Sequence, residues 1–437
     1  MSSACHRYFI GVSRINNGMR VHLIGSEGAG MKWLSDYYRE RGNEVSGSDL
    51  LTGGHNKDNV RDVDLVIYTA AVSADNPELN EALRLGIKTI SRAEALAAAA
   101  VCFGTSIAVA GTHGKTTTTC MLSEMLSSYD PAVFFGGTYR GRRGKATGEM
   151  LIAEACEYKR GFLFMHPDIS VTLNVELDHT DCYTSYDDVL KAFRQFALQS
   201  DFAVISDALA GALAAKRYTV TVGRTGKYAC IDCVARGGGS DIAVKTPEGV
   251  RRFRLEVPGR HNAENAAFAI AAARTYGAHY DEIAEGLSRF TGADRRLQLV
   301  GRAKGVPVYS DYAHHPTEIE ASVRAYRAMG YKRILIVFQP HTHERLGSLF
   351  DGFVSALCDC DSIILPVFRA RGECGITSDR LAEEIVRCGG RSIALDVPET
   401  ARRIKETAPD HDIIAITGAG DNEKILPLIL DQFSPNE

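Results

Sequence analysis

The chain reads as an α/β protein with three sheet-centred domains, the middle one built around a phosphate loop. Three observations predict this. Short apolar, β-branched runs alternate with helical patterns along nearly the whole length, the pattern of parallel sheets with crossover helices. Glycine turns follow three of those runs, at Gly25 to Gly30, Gly111 to Gly114 and Gly418 to Gly420. The 437 residues also leave room for about three domains of ordinary size.

Residues 1–100 are expected to form the first domain. Met1 to Gly18 reads as a loose leader without the charged-then-apolar pattern of a signal peptide. Arg20 to Ile24 is a strand, and Gly25-Ser26-Glu27-Gly28-Ala29-Gly30-Met31 turns into a helix reaching about Arg41. A second strand near Glu44 to Ser46 leads into Gly47-Ser48-Asp49. A βαβ unit with a glycine turn and an acidic residue about twenty positions on has the outline of a dinucleotide fingerprint. That fingerprint needs glycine where Glu27 stands, so the βαβ unit is expected and a nicotinamide dinucleotide is not. Asp64 to Thr69 and Ile87 to Ile90 are further strands, and Asp75-Asn76-Pro77-Glu78 starts a helix between them. The alanine-rich helix Arg92 to Ala100 has the small residues of a packed connection.

Residues 101–292 are expected to form the second domain. Ile107 to Ala110 is a buried strand. Gly111-Thr112-His113-Gly114 turns, Lys115 and Thr116 to Thr119 follow, and a helix runs from Cys120 to Ser127. Small residues let backbone N–H groups close on phosphate oxygens, and a helix N-terminus adds partial positive charge. Lys115 can reach β- and γ-phosphates, and the Thr116 hydroxyl can sit on Mg²⁺. The strict pattern G-x-x-x-x-G-K-[ST] is not met, since its first glycine falls at Val109; the competing reading is an ordinary turn with a chance Gly-Lys-Thr. Ile152 to Glu154 and Ser170 to Asn174 are strands, the second followed by Glu176-Leu177-Asp178-His179-Thr180-Asp181. Ligands in open α/β sheets sit at the carboxyl ends of strands. Glu154 and His179 are therefore expected beside Lys115, as magnesium ligands or, for His179, as a hydrogen-bonded turn histidine. Ala203 to Ser206 is another strand. From Tyr218 to Val257 short alternating strands around Gly237-Gly238-Gly239 predict a small antiparallel side sheet. Pro258-Gly259-Arg260-His261-Asn262-Ala263-Glu264-Asn265 then introduces a helix from Ala266 to Tyr276, its asparagines placed for an adenine edge or for N-capping.

Residues 293–437 are expected to form the third domain. Its strands are Val306 to Ser310, Arg333 to Phe338, Ser362 to Leu365, Ser392 to Leu395 and Ile413 to Thr417. Polar groups cluster after three of them: Asp311-Tyr312-Ala313-His314-His315-Pro316, Gln339-Pro340-His341-Thr342-His343-Glu344-Arg345 and Gly418-Ala419-Gly420-Asp421.

Composition narrows the function classes. A hydrophobic share of 45% with 24% charged residues is that of a globular protein, and the net charge of −4 leaves no footprint for nucleic acid. No run of 18 apolar residues exists to span a membrane. The 11 cysteines are scattered, which suits reduced thiols in a cytoplasmic enzyme. Cys230-x-x-Cys233 and Cys358-x-Cys360 are the close pairs, read as structural thiols with a shared zinc site as the alternative.

Taken together these motifs resemble the Mur ligase family, and within it the alanine-adding branch. The resemblance runs from about Arg20 to about Leu430. It is carried by G-T-H-G-K-T-T-T-T (111–119), N-V-E-L-D-H-T-D (174–181), H-N-A-E-N-A (261–266), R-R-L-Q (295–298), D-Y-A-H-H-P-T-E-I (311–319), F-Q-P-H-T-H-E-R (338–345) and G-A-G-D (418–421). V-S-G-S-D (45–49), D-N-P-E (75–78) and S-R-A-E-A-L (91–96) also match. The chain departs from the family pattern at Ser26 and Glu27, over the shortened segment between Asp49 and Asp64, and at Cys156, Tyr158, Ser310 and His343.

The resemblance implies a Rossmann-like first domain for a UDP-sugar, a central P-loop ATPase-like domain, and a Rossmann-like third domain for the amino acid. It implies ATP and Mg²⁺, and an amide ligase joining L-alanine to UDP-N-acetylmuramate for peptidoglycan synthesis. Gly111, Thr112, Gly114, Lys115, Thr116 and Thr117 would hold ATP phosphates, with Thr116, Glu154 and His179 on magnesium. Asn262 and Asn265 would recognise adenine, Asp311 the ribose and Arg296 the γ-phosphate. Gly28, Gly30, Ser48 and Asp49 would contact the UDP-sugar. His314, His315 and Arg345 would line the alanine and muramoyl carboxylate side, His314 being a candidate to take the amine proton. A monomer or homodimer is expected. The alternatives are a ligase of the same mechanism with another acceptor, such as a recycled muropeptide or a non-UDP carboxylate, and a non-catalytic nucleotide-binding regulator.

Overall fold

The computed structural model describes residues 18–179, 182–213, 218–368 and 375–431. The expected leader, apart from Gly18, lies outside them, as do Thr180 and Asp181. The chain divides into two compact units: Met1–Asp232, Ile242–Arg254 and Ala263–Thr291 in the first, Cys233–Asp241, Leu255–Asn262 and Gly292–Glu437 in the second.

The first unit holds two sheets. The smaller contains β1 (Arg20–Ile24), β2 (Glu44–Ser48), β3 (Leu65–Tyr68) and β4 (Lys88–Ser91) in the order β2-β1-β3-β4, all parallel. Its helices are α1 (Ala29–Glu40), α2 (Pro77–Arg84) and α3 (Arg92–Ala100). Asn76 caps α2 just before Pro77, and Ser91 with Glu94 forms a capping box on α3, so each helix starts where its side chains satisfy the first free N–H groups.

The larger sheet contains β5 (Ser106–Ala110), β6 (Pro131–Tyr139), β7 (Arg142–Lys145), β8 (Met150–Glu154), β9 (Ile169–Thr172), β10 (Phe202–Ser206) and β11 (Thr219–Val222), ordered β11-β10-β9-β5-β8-β6-β7. All five residues of β5 are buried, as an apolar strand covered on both faces should be. β11 pairs in parallel with β10. The side sheet is thus shorter than the sequence predicts: β12 (Ala229–Arg236), β13 (Gly239–Thr246) and β14 (Gly249–Leu255) form it. The run Thr219-Val220-Thr221-Val222 alternates like any half-buried strand, and alternation does not say which sheet a strand joins.

Two helices begin earlier than predicted. α4, after the phosphate loop, is Lys115–Met125. Its threonines are β-branched and poor helix formers in isolation, but Thr117 to Thr119 are buried, and the Thr119 hydroxyl donates to the Lys115 carbonyl at 2.9 Å. The later helix is Arg260–Tyr276, so Asn262 and Asn265 lie inside it.

One apolar core serves both sheets of this unit, running from Val21, Leu23 and Ile67 through Trp33 and Tyr37 to Phe134, Leu151 and Phe193. Trp33, on α1, stacks on Tyr37 and meets Phe134 edge-on, both at 5.4 Å between ring centres, and its indole N–H donates to the Lys145 carbonyl at 3.0 Å. A buried tryptophan with its N–H satisfied adds apolar burial at no polar cost.

The second unit is organised on a six-stranded sheet of β15 (Gln298–Ala303), β16 (Val306–Asp311), β17 (Ile334–Phe338), β18 (Asp361–Ile364), β19 (Arg391–Ala394) and β20 (Ile413–Thr417), ordered β15-β16-β20-β17-β18-β19. Only the edge strand β15 runs antiparallel. β17 and β20 are wholly buried, and apolar clusters cover both faces.

Candidate active site

The phosphate loop lies between the end of β5 and the start of α4. Gly111 and Gly114 have φ of +150° and +84°. A Cβ on Gly114 would stand 2.5 Å from Asn265 Oδ1, so glycine is required there both by conformation and by space. The segment after β9 braces the loop. The His113 N–H donates to Asn174 Oδ1 at 2.8 Å, Asn174 Nδ2 donates to the His113 carbonyl at 3.1 Å, and the Glu176 N–H donates to the Thr112 hydroxyl at 2.9 Å. No side chain caps the N-terminus of α4, which leaves its first N–H groups for an anion.

Lys115 folds back over this loop. Its Nζ donates to the Gly111 carbonyl at 2.5 Å and the Thr112 carbonyl at 3.1 Å, and lies 2.9 Å from Glu157 Oε2. Burial works against the ammonium; the Glu157 carboxylate foremost outweighs it and holds the pKa above the ordinary lysine value. The Thr116 hydroxyl donates to Glu154 Oε2 at 2.7 Å, and the Gly136 N–H donates to the same oxygen at 2.9 Å. His179, at φ +55°, has Nε2 3.8 Å from Glu157 Oε1, and its ring packs on Tyr158 at 4.8 Å.

Lys115, Thr116, Glu154 and His179 are thus brought together, and Glu157 joins them. Sequence reasoning passed over Glu157. The available signal was a second carboxylate three residues after the strand-end Glu154. Thr116 in the first turn of α4, Glu154 at the end of β8 and Glu157 just after it are hard oxygen donors, the donor chemistry Mg²⁺ takes. Glu157 Oε2 is buried and accepts no hydrogen bond despite its nearness to Lys115, which leaves a lone pair for a cation. The donor set therefore fits magnesium.

The glycine turn of the first sheet has a different character. The Gly25 and Ser26 N–H groups donate to the Ser48 carbonyl at 2.8 and 3.0 Å, and the Glu27 N–H donates to Asp49 Oδ2 at 3.1 Å. The Ser48 side chain is committed inward. Its hydroxyl donates at 2.5 Å to Glu78, a fully buried carboxylate that also accepts from Asn59 Nδ2 at 2.6 Å and the Asn56 N–H at 3.1 Å. Burial pushes the Glu78 pKa up, but these donors and His22 bring it down to about 2. Asp49 likewise shapes the turn, since Oδ1 accepts from the Leu51 N–H at 3.0 Å. Glu27 is paired with Lys32 at 2.5 Å, so its charge is balanced within the turn. Gly28 begins α1 without a side-chain cap.

In the second unit the expected residues gather at the ends of β16 and β17. Asp311 is buried and accepts from the Ser322 hydroxyl and, at 3.3 Å, from the Ala313 N–H; burial raises its pKa to about 6. Arg296 Nη1 is 3.4 Å from Glu318 Oε1, and its guanidinium lies 5.2 Å from the Tyr312 ring centre. His314 Nδ1 is 3.0 Å from the Tyr312 carbonyl; burial, with Arg345 adding to it against Glu318, lowers its pKa to about 4. His315 is the N-cap of Pro316–Ala328, accepting from the Thr317 N–H at 3.4 Å. Arg345 follows β17 in the short helix His343–Ser348. The Asn262 side chain is buried and donates to the Pro258 carbonyl at 2.7 Å, so its N–H is used within the chain. Asn265 lies against Gly114 in the first unit.

The described cysteines are free thiols, and among the described residues no helix is long and apolar enough to cross a membrane.

Three family models match in succession: the Mur ligase family catalytic domain over residues 20–103, the Mur ligase middle domain over 109–273 and the Mur ligase glutamate ligase domain over 295–420. The UDP-N-acetylmuramate–L-alanine ligase of Acetivibrio thermocellus is 36% identical over 95% of this chain and 96% of that protein. That of Streptomyces coelicolor is 37% identical over 95% and 98%. The crystal structure of the UDP-N-acetylmuramate–alanine ligase from Thermotoga maritima superposes with a TM-score of 0.80 at 25% identity, covering 93% of this chain and 97% of that one. A murein peptide ligase from Psychrobacter arcticus shares the fold, with a TM-score of 0.69 at 22% identity and coverage of 95% and 100%. With its three-domain α/β architecture, its phosphate loop and relatives matched from end to end, the chain belongs to the Mur ligase family.

Proposed function

We propose that this chain joins L-alanine to the carboxylate of UDP-N-acetylmuramate, with ATP as the energy source, in peptidoglycan precursor synthesis in the cytoplasm. One observation carries the reading at the level of chemistry. Lys115 is held as a cation between loop carbonyls and Glu157, one residue from the Thr116–Glu154 pair. The names of the relatives matched over the whole chain supply the substrates.

A carboxylate is a poor acylating agent. In the proposed reaction its oxygen attacks the γ-phosphorus of ATP, ADP leaves, and an acyl phosphate forms. The amine of alanine attacks the acyl carbon, and inorganic phosphate departs with the former carboxylate oxygen. Lys115 and the N-terminus of α4 stabilise charge on the transferring phosphoryl group. Magnesium held by Thr116, Glu154 and His179, with Glu157 beside them, would neutralise the triphosphate. We assign residues 1–100 to the UDP-sugar, 101–292 to ATP and 293–437 to alanine, with Arg296 toward the γ-phosphate and Asp311 toward the ribose. His314 is neutral at pH 7, and with Nδ1 donating to the Tyr312 carbonyl it keeps the Nε2 lone pair for a proton from the amine.

Phosphate release is the test, measured with ATP, Mg²⁺, UDP-N-acetylmuramate and L-alanine, each omitted in turn. Release that needs all four supports the reading. Release that ignores the UDP-sugar would overturn the acceptor.

A further inference from the structure

A cavity of about 340 Å³ lies within the first unit, between the ends of β3 and β4 and the end of β8. Thr69 and Ser91 line one side, Glu154 and Cys156 the other, and Tyr158 and Phe162 add aromatic wall. It therefore opens from the carboxylate that the Thr116 hydroxyl contacts. Arg92, the first residue of α3, also lines it.

Arg92 is half-buried, and among the described residues it has neither a carboxylate partner nor a hydrogen bond. Its guanidinium carbon lies 5.9 Å from the Phe134 ring centre. Its Nη1 stands 2.9 Å from where a Cβ on Gly30 would be, so the guanidinium abuts the first turn of α1. A guanidinium taken partly out of water normally has a carboxylate or phosphate partner, because desolvating an unpaired charge is costly. Here the ring face offsets only part of that cost. The other charges lining the cavity do not supply a partner: Lys159 donates to the Ala70 carbonyl at 2.8 Å, Glu94 accepts from the Ser91 N–H at 2.8 Å, and Glu154 accepts from the Thr116 hydroxyl and the Gly136 N–H. The uncapped N-terminus of α1 adds partial positive charge on the same side.

We propose that Arg92 is a substrate-binding residue that pairs bidentately with an anionic group of the sugar-nucleotide acceptor, whose sugar enters this cavity. The inference rests on the acceptor reading above. Paired anionic oxygens are offered by two parts of that molecule, the diphosphate and the carboxylate, and a guanidinium fork suits either.

The experiment is calorimetric binding of UDP-N-acetylmuramate and of UDP-N-acetylglucosamine, which keeps the diphosphate and lacks the carboxylate. It compares the parent protein, Arg92→Gln and Arg92→Lys, with the KM for ATP as a check that the phosphate loop is intact. A loss of about tenfold or more for both nucleotides in Arg92→Gln, with partial recovery in Arg92→Lys, assigns the diphosphate. The same loss for UDP-N-acetylmuramate alone assigns the carboxylate. Affinities within twofold of the parent for both, at unchanged ATP KM, overturn the role of Arg92 and leave the acceptor reading standing. A parent protein that binds neither nucleotide overturns both.

Discussion

Replacing Glu157 by alanine isolates the contact that holds Lys115 in place. The two side chains are 12% and 4% exposed, and Nζ lies 2.9 Å from Oε2. In Glu157→Ala the ammonium keeps the Gly111 and Thr112 carbonyls but loses its nearest counter-charge. Removing one partner of a buried pair costs about 3–5 kcal/mol, and the retained carbonyls and Glu154 place this case near ~3 kcal/mol. The sequence provides a local reporter. Trp33 is the one tryptophan, it is buried in the core shared by both sheets of the first unit, and its fluorescence in a urea titration follows that unit. The expected result is a loss of about 3 kcal/mol in Glu157→Ala and a smaller loss in the Lys115→Met/Glu157→Ala double variant, because no charge is then left unpaired. A loss under about 1 kcal/mol with no coupling between the two positions would refute the pairing.

Asp311 and Gly114 give two independent checks. Burial raises the Asp311 pKa to about 6, above the ordinary carboxylate range. The fold therefore favours its protonated form, and this stabilisation is complete below about pH 4 and lost as pH rises through 6. The difference corresponds to about 3 kcal/mol, so stability curves of the parent and Asp311→Asn, measured by calorimetry between pH 4 and 7, should diverge in that direction; parallel curves would dismiss the buried acid. Gly114→Ala forces a left-handed backbone onto a side chain and drives its Cβ toward Asn265. The conformational part alone costs about 1–2 kcal/mol, and the KM for ATP should rise about tenfold, the equivalent of ~1.4 kcal/mol, while the acceptor KM stays level.

What was legible in the sequence was local. Gly111 and Gly114 announce a turn because glycine alone tolerates those dihedrals, and continuous runs such as Ile334 to Phe338 announce buried strands because both faces are covered. Placing Glu154 and His179 beside Lys115 followed from one rule, that parallel strands present their carboxyl ends on one edge. What stayed hidden depended on partners distant in the chain. Glu157 matters because Lys115 folds back 42 residues away to meet it. Ser48 reads as a free hydroxyl until Glu78, 30 residues on, is found buried beneath it. Asn262 is spent on the carbonyl of Pro258 because the helix starts at Arg260, and propensity alone, dominated by the alanines, sets that start six residues late. The threonines of α4 were misplaced for the converse reason: their burial overrides a weak local preference. Glu27, awkward beside an anion when read alone, is neutralised by Lys32, one helical turn further on.

The measurement that bears most directly on the central claim is a turnover with UDP-N-acetylmuramate carrying ¹⁸O in its carboxylate, with both products weighed by mass spectrometry. Transfer of the γ-phosphoryl group onto that carboxylate, followed by attack of alanine, must deliver one labelled oxygen to inorganic phosphate and add one alanine residue to the sugar nucleotide. Label found in AMP, or phosphate released without label, would contradict an acyl phosphate formed at the Lys115 loop.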